Sequence, residues 1–316
     1  MSKLRIFYAT DIHGSETAFR KFTHAGKVYG AQVTIVGGDI TGKLIVPIVK
    51  QSDGTMRVRY LDSDITIRSQ TQLEEIEKNI KLNGYYPYIT DENEMEEFAS
   101  NKNKLDELFS RLITERVQSW VKLAEERYRG TNIKVFISPG NDDKFGLEDI
   151  ISQSDVIVCP EGKVIELDDK HEMISMGFGN ITPWNCPRDV PEEELKKKID
   201  SMASNVKDMK NAIFNIHVPP HDSSIDTAPK LDKNLKPLMG PGGDPIPYAA
   251  GSIAVREAIE KYQPLLGLHG HIHESKGKFT IGRTLCLNPG SEYQNGMLKG
   301  VIVDLNNKID FCFTSS

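Results

Sequence analysis

The pattern of hydrophobic and polar positions predicts strands that alternate with helices. Residues 4–10 (LRIFYAT) and 33–39 (VTIVGGD) are short apolar runs rich in strand-forming side chains. Between them, Ser15 is placed to cap a helix with an apolar face, formed by Ala18, Phe19, Phe22 and Ala25. Later apolar runs predict three more strands, at 133–143, 212–221 and 264–273. The alternation favours an α/β fold.

Residues 43–130 interrupt this alternation. An Asp-Gly pair within Ser52-Asp53-Gly54 lies between two β-rich runs and predicts a hairpin. Helical segments follow at about 71–82 and 91–128, and the second has an apolar stripe that we interpret as a packing surface: Leu105, Leu108, Leu112, Trp120 and Ala124. We predict one domain over residues 1–316, with 43–130 as an inserted hairpin and helical cap.

A second departure from the pattern covers residues 218–251. This stretch holds seven of the chain's 16 prolines and shows little periodicity. A structureless connection of this length is unusual in a compact domain unless it is functional or disordered. Because it lies between two histidine-bearing strands, we favour a substrate-facing loop over a floppy surface loop.

The composition is that of an ordinary globular protein and does not indicate a class of binding partner. The chain has 27% charged and 38% hydrophobic residues, and its net charge of −6 gives no general attraction to nucleic acid or anionic membranes. Four scattered cysteines, without a C-x-x-C pair, are expected to be free thiols: Cys159, Cys186, Cys286 and Cys312. Without a signal-peptide pattern or a membrane-spanning run, we expect a cytoplasmic location.

All five predicted strands end in polar side chains. In chain order these are Asp11 and His13, Asp39, the triplet Asn141, Asp142 and Asp143, then His217, and finally His271 and His273. Taken alone, each cluster is a weak signal, because Gly-Gly-Asp is commonly a turn and a single histidine is usually an ordinary polar residue. Ligands of open α/β sheets bind beyond the carboxyl ends of the strands, so the repeated placement predicts one shared site.

The residue types in these clusters suit transition metals. Carboxylates and imidazoles together favour Mn, Fe, Zn, Ni or Co, whereas a magnesium site usually shows carboxylates and water. Two ions about 3.5–4 Å apart need one carboxylate to bridge them. The set offers two carboxylates, one amide and four imidazoles, which leaves coordination positions for water and substrate.

The ordered motifs D-x-H, G-D, G-N, H and G-H-x-H resemble those of the calcineurin-like metallophosphoesterase superfamily. They extend from Asp11 to His273, and the segment NPGS (288–291) also resembles one found after the last motif in many bacterial and archaeal members. The resemblance implies an α/β fold of two packed mixed β-sheets flanked by helices, a four-layer αββα sandwich.

The resemblance also implies a role for each matching residue. Asp11, His13 and His273 would hold the first metal ion. Asn141, His217 and His271 would hold the second, and Asp39 would bridge both. His269 matches no ligand position, so we interpret it as a supporting or structural residue.

The chain departs from the superfamily's pattern at position 142. The superfamily has a histidine there, which stabilises phosphate or protonates the leaving group, and this chain has Asp142, followed by Asp143 at the acidic supporting position. An ionised Asp142 would repel phosphate. It could donate a proton only if burial or the adjacent Asp143 raised its pKa, and it could instead face a cation or have no role. His221 or His24 could substitute for the missing histidine. The candidate catalytic residues are therefore Asn141, Asp142 and Asp143.

The predicted activity is metal-dependent hydrolysis of a phosphoester by a hydroxide that bridges two metal ions, with manganese expected to serve in vitro. No G-x-S-x-G motif or motif cysteine suggests a covalent intermediate. We expect a small phosphodiester or nucleotide as substrate and no extended nucleic acid. The alternatives are a phosphomonoesterase or protein phosphatase, and a non-catalytic scaffold that keeps the fold. The sequence is also compatible with a homo-oligomer.

Overall fold

The computed structural model describes residues 3–316. The strands are β1 Leu4–Ala9, β2 Val33–Gly37, β3 Ile45–Lys50, β4 Met56–Tyr60, β5 Ser63–Ile67, β6 Tyr86–Thr90, β7 Lys134–Ser138, β8 Ile157–Val158, β9 Val164–Glu166, β10 Glu172–Met176, β11 Gly179–Asn180, β12 Asp189–Val190, β13 Ile213–Ile216, β14 Thr227–Pro229, β15 Pro247–Ala249, β16 Leu266–Leu268, β17 Gly277–Ile281, β18 Thr284–Asn288, β19 Lys299–Leu305 and β20 Ile309–Ser315. The helices are α1 Glu16–Tyr29, α2 Gln70–Leu82, α3 Glu92–Ser100, α4 Lys102–Tyr128, α5 Leu147–Ile151, α6 Glu192–Ala203 and α7 Ile253–Tyr262. Two 3₁₀ turns lie at Met209–Asn211 and Tyr293–Asn295.

Two six-stranded mixed sheets form the body of the molecule. The first has the order β20-β19-β1-β2-β7-β8, and the second has the order β17-β18-β16-β13-β10-β9. The central strands of each sheet run parallel, with Ile6 opposite Val33 in the first and Ile213 opposite Leu266 in the second. Parallel neighbours end at the same edge of their sheet, so the residues that follow them are brought together.

Three apolar layers hold the two sheets and the helices in place. Ile6 and Phe136 of the first sheet meet Met173 and Leu268 of the second in one buried cluster. The outer face of the first sheet packs on α1, α4 and α5, and that of the second packs on α6 and α7. The predicted four-layer αββα fold is confirmed.

Residues 45–90 form a smaller four-stranded sheet, ordered β5-β4-β3-β6, with α2 packed against it. The predicted hairpin joins β3 and β4, and Gly54 adopts φ +81° in the turn, a value that favours glycine. Buried Arg116 of α4 ties this sheet to the body, because it donates to the carbonyls of Gly14 and Tyr85. The single domain of residues 1–316, with 43–130 as an inserted cap, stays a prediction.

The helical segment predicted over 91–128 is two helices, not one. Asn101 is extended between α3 and α4, and its side chain caps α4 by accepting a hydrogen bond from the Lys104 amide. Asparagine is a strong N-cap, so the chain restarts its helix there. The residues of the apolar stripe are buried or partly buried from Leu108 to the end of α4. Trp120 stacks on Phe19, with 4.2 Å between the ring centroids. Leu105 is exposed, against expectation.

The proline-rich stretch is more ordered than expected. Its strands β14 and β15 pair antiparallel, and bridges at Leu231–Pro237 and Met239–Pro245 extend the pairing outward. Pro229 lies opposite Pro247 in this short edge pairing, where a missing N–H is tolerated. We call residues 227–249 the proline-rich arm.

The four cysteines are free thiols, as predicted. Within residues 3–316, no helix has the length and apolar character needed to cross a membrane. The cytoplasmic location stays a prediction.

Glu161, between β8 and β9, is expected to make stability depend on pH. Burial raises the pKa of its carboxyl to about 7 from the usual 4.5, with Arg188 opposing the shift, and the carboxyl accepts a hydrogen bond from the Gly177 amide. As pH rises from 5 to 8, the unfolded chain releases this proton before the folded protein does, so stability falls. Glu161→Gln should reduce that loss, by at most about 3 kcal/mol. Urea unfolding at several pH values measures it.

The matched control is Glu193→Gln on the exposed face of α6. It should leave the pH profile of stability unchanged. A Glu161→Gln profile that runs parallel to wild type from pH 5 to pH 8 would contradict the prediction.

Candidate metal centre

The ends of five strands from both sheets converge on one cluster of donor atoms. Asp11 and His13 follow β1, Asp39 follows β2, Asn141 follows β7, His217 follows β13, and His271 and His273 follow β16. Two groups have all their donor atoms within 4.8 Å of one another: Asp11, His13 and His273, and Asp39, His217 and His271. A third such group joins Asp142 to His13 and Asp39. The structure therefore brings six of the seven sequence-predicted metal ligands into these groups. The seventh, Asn141, lines the same cavity as Asp39 and His271.

The Asp39 carboxylate lies between the two main groups. Its Oδ2 is 3.5 Å from the Nε2 of His13 in one group and 3.5 Å from the Nε2 of His217 in the other. Its Oδ1 accepts a hydrogen bond from the Asp142 amide at 3.0 Å. This placement suits a carboxylate that bridges two ions.

Two of the three distances within the first group suit side chains that share one ion, and the third, from His13 Nε2 to Asp11 Oδ1, is longer at 3.9 Å. Asp11 Oδ1 is 3.3 Å from His273 Nε2, and the Nε2 atoms of His13 and His273 are 3.0 Å apart. Ligand atoms about 2.1 Å from one ion, at angles between 90° and tetrahedral, lie roughly 3.0–3.4 Å from each other. Asp11 is held in place by Thr10 Oγ1 and the His271 amide, which both donate to its Oδ2.

Three buried side-chain atoms at the centre lack any hydrogen-bond partner: Asn141 Oδ1, His217 Nε2 and His13 Nδ1. For the first two, the other side of the group is engaged: Asn141 Nδ2 donates to Asp189, and His217 Nδ1 contacts the Gly37 carbonyl at 3.0 Å. Buried polar atoms are almost always paired, and second-sphere contacts of this kind fix the tautomer of a ligating histidine. The donor set therefore fits divalent cations.

The backbone around the centre is strained. Asp11, His13, Asp39 and His271 all have φ between +42° and +66°, the left-handed region that costs energy for residues with a side chain. Gly140 and Gly270 leave space for the centre, because a Cβ at either would overlap the carboxylate of Asp39 or of Asp11. Such strain is characteristic of functional sites.

The protonation states of these groups suit cation binding. Burial alone would raise the pKa of Asp11 and Asp39. His217, together with His273 beside Asp11 and with His13 and Lys43 beside Asp39, outweighs burial and holds the pKa of both carboxyls well below the usual range. Burial lowers the pKa of His13 to about 3 and that of His271 to about 4, so both are neutral. For His217, burial is outweighed by Asp39 and Asp11, which raise its pKa to about 9. A cation would displace that proton.

Asp143 supports the centre from below. Its carboxylate is fully buried and accepts hydrogen bonds from the amides of Ile40, Thr41 and Gly140 and from Thr41 Oγ1 at 2.6 Å. Burial, then the charge of Asp39, raise its pKa to about 6. These contacts join the loop of Asp39 to the loop of Asn141. A direct catalytic role for Asp143 stays a prediction that its contacts do not favour.

Asp142 faces a cation, one of the options left open by the sequence. Its Oδ2 is 2.8 Å from Lys43 Nζ, and both side chains line a cavity of about 950 Å³ above the centre. Burial alone would lower the pKa of Lys43, but Asp142 and Asp39 raise it above its usual value. Sequence reasoning missed Lys43, although it lies only four residues after Asp39.

Of the other histidines considered in the sequence, one lines the cavity, one is exposed and one is buried. His221 is half-buried and lines the cavity, whereas His24 is exposed on α1 and is not among the lining residues. His269 is buried, with Nδ1 2.8 Å from the Ile216 carbonyl and 3.2 Å from that of Val218. It is therefore a structural residue that fastens the end of β13.

Two further residues that sequence reasoning missed hold the Asn141 loop. Arg188 is buried and donates to the carbonyls of Asp143 and Lys144 while pairing with Glu148 at 2.6 Å. Asp189 accepts from Asn141 Nδ2 at 2.8 Å and, through its other oxygen, from Thr182 and the Cys186 amide. No sequence signal marks this Arg-Asp pair, since its members lie 47 and 48 positions after Asn141 along the chain.

Comparison with solved structures agrees with this overall fold. No family model matches the chain. Two solved structures each align over 98% of this chain and 99% of their own length, one at TM-score 0.58 and 14% identity, the other, TT1561 of Thermus thermophilus, at TM-score 0.50 and 13%. The chain shares the fold of these two structures. Likeness at this level of identity shows the fold alone.

Two other similarities are more limited. A novel archaeal phosphodiesterase aligns over 99% of this chain at TM-score 0.39, which is too low to support an argument. The uncharacterized protein MJ1162 of Methanocaldococcus jannaschii is 29% identical over 159 residues, which are 50% of this chain and 64% of that protein. The matched part thus spans less than two thirds of that relative.

Asp189→Asn is expected to weaken one of two metal sites. The side-chain amide introduced at position 189 cannot accept all the hydrogen bonds that the Asp189 carboxylate accepts. The Asn141 side chain therefore loses its fixed orientation. Calorimetric titration with Mn²⁺ should find two ions per wild-type chain and one of them bound roughly 10–100-fold more weakly in the variant. Asp39→Asn should weaken both.

Asp169→Asn, an exposed change, is the matched control and should bind Mn²⁺ like wild type. Equal loss of both ions in Asp189→Asn with an intact fold would contradict the assignment of Asp189 to a single site.

Proposed function

We propose that the chain is a metal-dependent phosphoesterase with a dinuclear centre and that it hydrolyses a small phosphodiester or nucleotide. The observation that carries the proposal is the position of Asp39 Oδ2, at 3.5 Å from a histidine of each donor group. A mixed carboxylate, amide and imidazole set suits Mn, Fe, Zn, Ni or Co, and we expect Mn²⁺ to support activity in vitro. The scaffold alternative is disfavoured, because such a protein has no need of a complete ligand set.

The chain's residues prepare the site for an anionic ester. When bound, two divalent ions would activate a water molecule and offset the charge of the phosphoryl group. Asp11 and Asp39 hold the cations, and Asn141, a neutral ligand, limits the negative charge of the centre. Cys186 lines the cavity, but burial and Asp142 raise its pKa to about 12, so it stays a thiol. This supports hydrolysis without a covalent intermediate on the enzyme.

The charges at the cavity favour a diester over a monoester. Asp142 stands where the superfamily has a histidine, and its carboxylate is compensated by Lys43 alone. A diester carries one negative charge near neutral pH, whereas a monoester carries about 1.5–2. Repulsion by Asp142 is therefore weaker for a diester. Monoester and phosphoprotein hydrolysis remain the alternative outcomes of the experiment below.

The direct test is hydrolysis of bis(p-nitrophenyl) phosphate and of p-nitrophenyl phosphate with added Mn²⁺. Wild type should cleave the diester at least tenfold faster, and Asp39→Asn should lose activity on both, because it removes the carboxylate between the two groups. Asp169→Asn should behave as wild type. Faster cleavage of the monoester would favour a phosphomonoesterase, and metal-loaded wild type inert towards both esters would favour a scaffold.

Lys43 is expected to contact a phosphoryl oxygen of the substrate. An ammonium has three donors, and one contact with Asp142 leaves others free towards the cavity. Lys43→Gln should raise KM for bis(p-nitrophenyl) phosphate roughly tenfold, with Mn²⁺ affinity nearly unchanged. Steady-state kinetics and calorimetric titration separate these effects.

Two further variants sharpen this test. Lys50→Gln, an exposed change on β3, is the control and should have no effect. The double variant Lys43→Gln with Asp142→His carries the superfamily's residue at 142 and should recover part of the loss. No change of KM in Lys43→Gln would contradict the role given to Lys43.

A further inference from the structure

We propose that an apolar wall of the cavity binds a planar aromatic group of the nucleobase type, carried by an alcohol of the ester. The wall consists of Ile181, Trp184, Tyr248 and Ile253. This inference rests on the proposed function and deepens it, because it names the part of the substrate that is not phosphate.

Four of the exposed large apolar side chains of the protein line this one cavity. Trp184 is 60% exposed, Ile181 58%, Tyr248 54% and Ile253 50%, and all four line the cavity whose floor includes Asp39 and Asn141. Clustered exposed apolar side chains with polar neighbours mark binding sites, whereas single ones are ordinary. Their shared cavity with the metal centre indicates that one ligand reaches both.

One half of the wall is anchored to the metal centre itself. The amide of Thr182, next to Ile181, donates at 2.9 Å to the Asp189 oxygen that also accepts from the Thr182 hydroxyl and the Cys186 amide. The other oxygen of Asp189 holds Asn141. Asp189 thus fixes the distance between the segment of Trp184 and a metal ligand.

The other half of the wall is anchored to the strand of His217. Tyr248 lies at the base of the proline-rich arm, where the Ala250 amide donates to the Asp226 carbonyl and the Ser252 amide donates to the Pro219 carbonyl at 2.9 Å. Ile253 follows at the start of α7. The backbone of both halves is therefore set before a ligand arrives, which limits the entropy lost on binding.

Size and chemistry select a nucleotide-like occupant. A cavity of about 950 Å³ suits a ligand larger than a phosphate with a short alkyl group. Trp and Tyr faces are the surfaces on which nucleobases stack, at roughly 1–3 kcal/mol per base. Lys230 and His221 at the same cavity offer polar partners for a base edge or a sugar. The acidic chain, with net charge −6, disfavours a long polymer.

The binding test uses the fluorescence of Trp184. The chain has two tryptophans, and the other, Trp120, is buried against Phe19, so Trp120→Phe leaves Trp184 as the single reporter. We would titrate this variant with AMP and with ribose 5-phosphate in the presence of Mn²⁺, since the two monoesters differ only in the base. AMP should quench the signal saturably and bind at least fivefold more tightly. Equal affinities, or no quenching by AMP at concentrations that inhibit ester hydrolysis, would overturn the proposal.

The kinetic test compares thymidine 5′-(p-nitrophenyl phosphate) with ethyl p-nitrophenyl phosphate, which share a leaving group. Trp184→Ala should raise KM for the nucleoside ester roughly 5–100-fold and leave the ethyl ester unchanged. Tyr248→Ala should act in the same direction, and Val28→Ala, an exposed apolar residue on α1, is the control.

The two esters separate failure of this inference from failure of the proposed function. If the ethyl ester is cleaved and both variants treat the two esters as wild type does, the aromatic site is overturned and the phosphoesterase stands. If metal-loaded wild type cleaves neither ester, the phosphoesterase itself is overturned, and the aromatic site falls with it.

Discussion

The contact on which the site depends is that of the Asp39 carboxylate with histidines from both sheets. His13 follows a strand of the first sheet and His217 a strand of the second, and Asp39 Oδ2 is 3.5 Å from each. The two sheets must therefore pack in one register for the donor groups to share a carboxylate. The buried cluster between the sheets, with Ile6, Phe136 and Leu268, sets that register. The packing of this core therefore also fixes the geometry of the centre.

Around this contact the protein keeps many charges out of water, and each has a specific partner. The Asp143 carboxylate takes four hydrogen bonds from two loops, and the Arg188 guanidinium spans the Asn141 loop and Glu148. Buried charges are costly unless they are paired in this way, and the pairing makes the loops rigid. Left-handed backbone at Asp11, His13, Asp39 and His271 is retained at some cost in stability. That cost is characteristic of a site selected for binding.

The departure at position 142 becomes intelligible once the cavity is considered as a whole. The superfamily that the sequence motifs resemble has a histidine there, and this chain has an Asp142–Lys43 pair, at 2.8 Å, on the cavity surface. In this chain the positive charge is carried by Lys43, in the segment after β2, and not by a residue of the Asn141 loop. Asp189 links Asn141 to the segment that carries Trp184. Hydrogen bonds to this one carboxylate therefore connect the candidate metal centre to the apolar wall.

The sequence by itself determined the strand ends and the identity of the donor side chains. Apolar runs of strand length end in Asp, Asn and His at the five places where the structure has its candidate donor side chains, because a strand's side-chain alternation and its polar end are local properties. Local signals also identified the Ser15 cap and the turn at Gly54. The break at Asn101 was missed, because helical periodicity continues on both sides of the cap. Tertiary structure alone decided that Lys43 meets Asp142, that Asp189 orients Asn141 and that Trp184 and Tyr248 share one cavity. These pairs join residues 48 to 99 positions apart, and no local pattern encodes which distant segments a fold brings together.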